Sequence, residues 1–335
     1  MGTKQGATGM GTEGERLEPN ANANANTDAN TDANANANAN TNTNTDAAVG
    51  ERRHLVGLAY RMLGSVAEAE DAVQEAYARW YAQAPERRAA IASPGAWLTT
   101  VLSRVCLDVL GSARVRRERY VGEWLPEPLP DGAEWAVGAA FPADPADRIT
   151  LDESVGMAFL VVLESMTPAE RVVFVLHDVF RYPFPEIAAI VDRTPAACRQ
   201  LASSARRRVG AAPAPATGSA VVVREFRQAW EAKDIGALVG LLDPSAVLVA
   251  DGGGLVSAVV RPVEGGERIA QYLALMAEKA PGLVLLERTV NGRPGLVAQR
   301  DGATATVAAL DIVDGRITRI WAVRNPEKLG LWTAA

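Results

Sequence analysis

Cysteine and histidine are scarce in this chain, with two of each among 335 residues. Cys106 and Cys198 each fall inside an apolar helical pattern, so a disulfide framework and a four-cysteine zinc site are both excluded, and a reducing compartment is implied. Neither histidine has a second histidine nearby, and His177 sits in an apolar stretch that reads as packing rather than ligation. No metal and no cofactor are expected. Any run of about eighteen apolar residues is missing, as is an apolar signal core at the N-terminus, so neither membrane insertion nor secretion is supported and a cytoplasmic location is expected. A general excess of positive charge is missing too: 34 Lys and Arg stand against 40 Asp and Glu, a net charge of −6. That balance excludes a protein that coats nucleic acid indiscriminately and confines any DNA contact to local patches.

Such patches are present. Arg114, Arg116, Arg117 and Arg119 form one and Arg206 to Arg208 another. The apolar fraction of 48% is ample for cores, and the length allows two or three domains. Residues 1–48 carry an alternation of Asn with Ala, Thr and Asp that offers nothing to bury and reads as a disordered tail. Residues 49–121 have helical periodicity throughout, as in Leu55, Leu58, Ala59 and Met62, then Val73, Ala76, Tyr77 and Trp80, then Trp97, Leu98, Val101 and Leu102. This is an all-helical module. Proline breaks helical potential over 122–147, an extended linker whose Trp124 and Leu125 are too apolar for a free tether. A second helical module spans 148–212. In it Thr167, Pro168 and Glu170 form a helix start with cap, first-turn proline and capping-box acid. From 219 to 332 helices at 221–233 and 235–242 precede strands at 246–250, 255–261, 283–290, 296–300, 303–313 and 317–323, the order of an α+β domain.

The segment PFPEIAAIVDRTPAACRQLASSARRRV, which begins at Pro183, reads as a helix-turn-helix. Ile187, Ala188, Ile190 and Val191 form one apolar face, Asp192 and Arg193 break it, and Thr194 with Pro195 caps the second helix. On that second helix Ala197, Leu201, Ala205 and Val209 are expected as the buried stripe. Arg199, Gln200, Ser203, Arg206 and Arg207 then lie on the outer face, where Arg can hold guanine bidentately, Gln can pair with adenine and the last arginines reach phosphate. In the first module, Asp71, Gln74, Glu75 and Arg79 form a mixed polar face, and arginines beside Trp97 and Tyr120 can hold phosphate or stack on an unpaired base.

Taken together these segments resemble the extracytoplasmic-function RNA polymerase sigma factors, within the sigma-70 family. AEDAVQEAYARW is similar to the helix that grips the polymerase clamp, PGAWLTTVLSRVCLDVLGSARVRRERY to the minus-ten reader, and TPAERVVFVLHDVFRYPFPEIAAIVDRTPAACRQLASSARRRV to the minus-thirty-five reader. WLPEPL, DGGG at Asp251, Gly252, Gly253 and Gly254, and NPEKL starting at Asn325 and Pro326 resemble the subgroup with a fused SnoaL-like domain. Glu123, Ser204 and Leu255 depart from the pattern, standing where proline, arginine and lysine are usual.

The resemblance implies a multidomain chain: two all-α sigma modules, the second with the helix-turn-helix, followed by an α+β cone domain of the SnoaL-like, or nuclear-transport-factor-two-like, type. It implies that Asp71, Gln74, Glu75 and Arg79 face core polymerase, at the largest-subunit clamp with the flap of the second-largest subunit as a further contact. Trp97, Arg104, Arg114, Arg116 and Arg117 would take unpaired minus-ten bases, and Arg199, Gln200, Ser203, Arg206 and Arg207 the upstream duplex. Trp124, Leu125, Asp251, the three glycines, Asn325 and Pro326 would be regulatory, setting the spacing of the two modules as a separate anti-sigma protein does elsewhere. A small-molecule ligand in the last domain stays open. Two rivals remain: a cyclase or isomerase-type domain with Asp251 as pocket base fused to a DNA-binding arm, and a repressor acting without polymerase.

Overall fold

The computed structural model describes residues 50–117, 120–133, 155–209 and 218–332, with the side chains of 113–117 left out. The Asn/Ala tail, residues 134–147 of the linker and the arginine side chains at 114, 116 and 117 lie outside the described residues.

The first module consists of α1 (Arg52–Leu63), α2 (Val66–Tyr81), a short α3 (Pro85–Ala89) and the long α4 (Pro94–Arg117). Gly64 ends α1 in the left-handed conformation at φ 72°, and its N–H donates to Tyr60 O. A side chain there would press on the Trp124 ring 3.0 Å away, so the turn needs glycine for both backbone and space. Ser65 caps α2 by accepting from Glu68 N.

The second module contains α5 (Met157–Glu164), α6 (Pro168–Phe174) continued by a π-helical turn (Val175–Val179), α7 (Phe184–Val191) and α8 (Pro195–Val209). The expected start of α6 is present as a full capping box, Thr167 accepting from Glu170 N while Glu170 accepts from Thr167 N. Caps of this kind contribute about 1 kcal/mol. The two modules do not have separate cores. Leu55, Leu58, Met62 and Leu102 of the first belong to one buried cluster with Val172, Leu176, Ile187 and Ala202 of the second.

The last domain begins with α9 (Ser219–Glu231) and α10 (Ile235–Leu241). Strands β1 (Leu242–Asp251), β2 (Val263–Glu264), β3 (Val284–Val290), β4 (Arg293–Arg300), β5 (Ala303–Val313) and β6 (Arg316–Val323) form one sheet in the order β2-β1-β6-β5-β4-β3. β1 and β6 pair in parallel, and the other neighbours are antiparallel. Helix α11 (Gly266–Lys279) crosses the sheet with Ile269, Ala270, Leu273 and Ala274 buried. Alternation along the strands divides the residues between two faces. Leu248, Ala250, Leu310 and Ile320 face the helices, whereas Val307, Ala309, Trp321 and Val323 face the linker residue Leu125 together with Leu329 and Trp332.

Two expectations for this domain need correction. No strand forms over 255–261: Leu255 N and Val256 N both turn back to Gly252 O, and Leu255, Val256 and Val260 are exposed. Gly253 and Gly254, at φ 63° and 73°, make that reversal possible. The helix α11 was not expected, although its apolar residues recur at helical spacing.

Candidate polymerase, promoter and linker-latch surfaces

Recognition helix α8 is set by its turn. Asp192 closes α7 at φ 51°, its N–H donating to Ala188 O, and Thr194 Oγ1 accepts from Ala197 N at 3.2 Å. The buried line on α8 is Cys198, Ala202 and Ala205, with Leu201 only half-buried. Of the expected stripe Ala205 is buried, whereas Cys198 and Ala202 take the places of Ala197 and Leu201 and Val209 is half-buried, because α8 wedges its small residues, rather than Leu201, between α6 and α7. The outer face is unaffected: Arg199, Gln200, Ser203, Arg206 and Arg207 are all exposed. Arg199 lies 5.5 Å over the Phe184 ring, Arg206 Nε donates to Asp178 at 2.6 Å, and Arg207 Nη1 donates to Ser203 Oγ at 3.4 Å. Ser204, where arginine is usual, donates instead to Glu170 Oε1 at 2.7 Å and ties α8 to the capping box.

On α2, Asp71, Gln74, Glu75 and Arg79 are exposed, with Glu75 and Arg79 paired at 2.8 Å. Helix α4 is in a different situation. Trp97 is half-buried, edge-on to Trp80 at 5.3 Å. Arg104 donates to Ala189 O at 2.8 Å and to Ile190 O at 3.4 Å, the carbonyl end of α7. Thr99 and Tyr182 hydroxyls meet at 3.2 Å. Arg104 thus touches the second module while staying exposed, Trp97 packs within the first, and the side chains of Arg114, Arg116 and Arg117 lie outside the described residues.

Most of the residues expected to be regulatory converge on Asp251, which is 0% exposed. Its carboxylate accepts from Tyr120 OH at 2.6 Å, Leu125 N at 2.9 Å, Gly253 N at 3.0 Å and Lys328 Nζ at 2.7 Å. Lys328 Nζ also donates to Leu125 O at 2.5 Å and stands 4.0 Å over the Trp124 ring. Asn325 Nδ2 donates to Tyr120 OH at 2.9 Å, and the N–H groups of Arg324 and Asn325 donate to Asp251 O. A side chain on Gly253 would collide with the Asn325 amide, and one on Gly252 with Val256 O, which explains two of the glycines sterically. Pro326 begins the 3₁₀ turn Pro326–Lys328 that presents Lys328. Burial, then the bond to Asp251, pushes the Tyr120 phenol well above its ordinary range.

A second junction brings together the first module, the linker, the start of the second module and the last domain. Asn291, 3% exposed at the β3–β4 turn, accepts from Leu129 N at 3.1 Å and donates through Nδ2 to Tyr60 OH at 3.2 Å and to Val155 O at 2.8 Å. Tyr60 OH donates in turn to Glu127 O at 2.7 Å. The Glu127 carboxylate caps α2, accepting from Val66 N at 2.7 Å, and its buried position raises its pKa. Arg171 of α6 donates to Met62 O at 3.0 Å and Glu164 at 2.7 Å, its guanidinium lowered to about 9 by burial.

Asp251 is not a pocket base. Leu248 and Ala250 face the interior of the cone, while Asp251, one residue on, faces the linker on the opposite side of the sheet. Sequence reasoning singled out Trp124, Leu125, Asp251, the glycines, Asn325 and Pro326, and these do meet. It missed Tyr60, Tyr120, Glu127, Arg171, Asn291 and Lys328 as members of the junctions. Lys328 was within reach in NPEKL, and Asn291 in the Asn-Gly hairpin signal, but nothing local shows that a hairpin tip is buried. Among the described residues no helix is long and apolar enough to cross a membrane, and no cluster of His, Cys, Asp and Glu is arranged to hold a metal.

The chain matches the family models Sigma-70 region 2 over residues 50–119 and Sigma-70, region 4 over residues 156–209. It is similar to the ECF RNA polymerase sigma factor SigJ of Mycobacterium tuberculosis, 39% identical over 293 residues that cover 83% of this chain and 90% of the relative. A probable ECF RNA polymerase sigma factor SigI of the same organism is also 39% identical, over 284 residues covering 83% and 92%. The crystal structure of M. tuberculosis SigJ matches with a TM-score of 0.67 at 36% identity, covering 84% of this chain and 96% of that one.

Proposed function

We propose, from the premise that this chain belongs to the extracytoplasmic-function RNA polymerase sigma factors, that the form described is a closed one in which the SnoaL-like domain holds the two DNA-reading modules together. Members of this family bind core RNA polymerase and promoter DNA and confer promoter-specific initiation; they are not enzymes. The observation that carries the reading is Asn291, a residue of the last domain bonded at once to Tyr60 of the first module, Leu129 of the linker and Val155 before the second. Minus-ten and minus-thirty-five elements lie roughly 25 base pairs apart, about 80 Å along the duplex. Arg104 of the first module and Ala189 of the second are in contact at 2.8 Å, and on the closed-form reading the modules part to reach both elements. Opening must therefore precede, or accompany, promoter capture.

In the open form Asp71, Gln74, Glu75 and Arg79 dock on the clamp of the largest polymerase subunit, and the second module docks on the flap of the second-largest. Trp97, Arg104, Arg114, Arg116 and Arg117 then take unpaired minus-ten bases, while Arg199, Gln200, Ser203, Arg206 and Arg207 read the upstream duplex. The restraint is internal, so no separate anti-sigma protein is required, and the protein acts in the cytoplasm. Affinity for core is reduced by the fraction of molecules that are open, and each 1.4 kcal/mol removed from the closed state raises that fraction about tenfold.

The test is complex formation and promoter opening with bacterial core polymerase, comparing the full chain with Asn291→Ala, Lys328→Met and a chain ending at residue 218. Tighter core binding by the two substituted proteins than by the parent is the expected result. Equal or weaker binding by both, with normal folding, overturns the closed-form reading.

A further inference from the structure

The cone of the last domain encloses a cavity of about 400 Å³, within the size range of small-molecule sites. Its wall is apolar, with Phe226, Trp230, Leu248, Leu273, Leu296 and Ile320 among the residues that form it. The charged residues lining it are all cationic: Lys279, Arg300 and Arg324. Among the described residues none of these three is paired with a carboxylate. Arg324 is half-buried, and its guanidinium donates to the backbone carbonyl of Ser257, in the loop that follows the three glycines. Tyr272, half-buried beside it, has its phenol raised by burial, an effect that the nearby Arg324 partly offsets. An apolar chamber with a half-buried guanidinium and no acid or histidine in its wall is built for holding, not for proton transfer.

The placement of the chamber gives holding a consequence. Leu248 and Ala250 of β1 and Ile320 and Ala322 of β6 line the chamber. Asp251 and Val323, paired across the same two strands, face the linker. Arg324 follows directly, and its own N–H is bonded to Asp251 O. The chamber and the Asp251 junction are thus two sides of one pair of strands.

We propose that this cavity is the receptor site for a small amphipathic anion, its apolar body in the cone and its carboxylate or similar head on Arg324, and that its binding loosens the Asp251 junction. The head group competes with Ser257 O for the Arg324 guanidinium, so occupancy releases the loop joining Gly254 to β2 and, with it, Gly252 and Gly253 at the junction. This builds on the closed-form reading and supplies its input.

Decanoate and decanol, which share an apolar body and differ in the head, are the probes, titrated calorimetrically into the full chain. Decanoate is expected to bind at one site, roughly tenfold tighter than decanol. Arg324→Gln removes that preference and Arg324→Lys restores much of it. Saturating decanoate is expected to raise core polymerase affinity in the parent but not in Arg324→Gln. Equal binding of the two probes, no binding of either, or an unchanged core affinity with decanoate bound overturns the proposal. The substitutions Asn291→Ala and Lys328→Met, read without any probe, still test the closed form by itself, so the two ideas fail separately.

Discussion

The two candidate DNA-reading helices, α8 and α4, differ in what their side chains touch. On α8 the residues suited to duplex readout stand in solvent, with only side contacts such as Arg206 to Asp178. On α4 Arg104 is spent on the carbonyls of α7, and Trp97 leans on Trp80. On the proposed reading, the difference teaches that closure weighs unequally on two acts of promoter recognition. Duplex reading needs a helix face and nothing else, so it survives in the proposed closed form, whereas Arg104, proposed to take unpaired bases, is held by carbonyls of the second module. On that reading a closed molecule samples upstream duplex without opening promoters.

The largest effect should come from breaking the buried ion pair. Lys328→Met leaves Asp251, 0% exposed, without its cation, at a cost of about 3 to 5 kcal/mol. A minus-ten single-stranded oligonucleotide should then bind measurably by fluorescence anisotropy, with upstream duplex binding unchanged. Equal shifts for both nucleic acids would dissolve the contrast between the helices. Asn291→Ala removes three side-chain hydrogen bonds at the other junction and should cost about 2 to 3 kcal/mol. Small-angle scattering should show a larger radius of gyration, and an unaltered radius would mean that the shared core alone keeps the modules together.

Acid should act on the same interface. His54 of α1 stands edge-on to Phe180 of the second module at 5.2 Å, and burial, then Arg61, lowers its pKa from 6.5 to about 4. As pH falls through 6.5, the unfolded chain takes up a proton that the folded one refuses until about 4. Stability is therefore complete above 6.5 and declines between the two values, by about 2 to 3 kcal/mol at the lower end. Urea denaturation at pH 7 and pH 4.5 should show the loss, and His54→Gln should flatten it. The exposed helix should respond to none of this. Arg199→Ala is expected to cost about 1 to 3 kcal/mol at one base position, and Arg207→Ala less, spread evenly over all sequences. A duplex panel in which Arg199→Ala loses affinity uniformly would remove its base-reading role.

What the sequence revealed follows the same division. The caps of α6 and α8 and the outer face of α8 depend on neighbours within a few positions, and they were legible. Asp251 and Asn325 stood out only through family resemblance, because the bonds that occupy them reach far along the chain, 131 positions from Tyr120 to Asp251 and 205 from Tyr120 to Asn325. Tyr60 and Asn291, 231 positions apart, gave no local sign of meeting. The contact of Arg104 with α7 was likewise invisible, since Arg104 reads equally well as a hand for phosphate or for a helix terminus. The false strand at 255–261 arose from Val256, Val259 and Val260, of which Val256 and Val260 are exposed, on a loop governed by Gly253 and Gly254.

The buried hairpin tip at Asn291 also introduces a matter of timing. The two sigma-region matches are complete by Val209, whereas the residues proposed to fasten them closed, from Asn291 to Lys328, leave the ribosome later. At 5 to 20 residues per second the interval is on the order of ten seconds. On the closed-form reading each newborn molecule is unfastened for that time, so a burst of synthesis is itself a pulse of competent factor, and restraint is acquired with age.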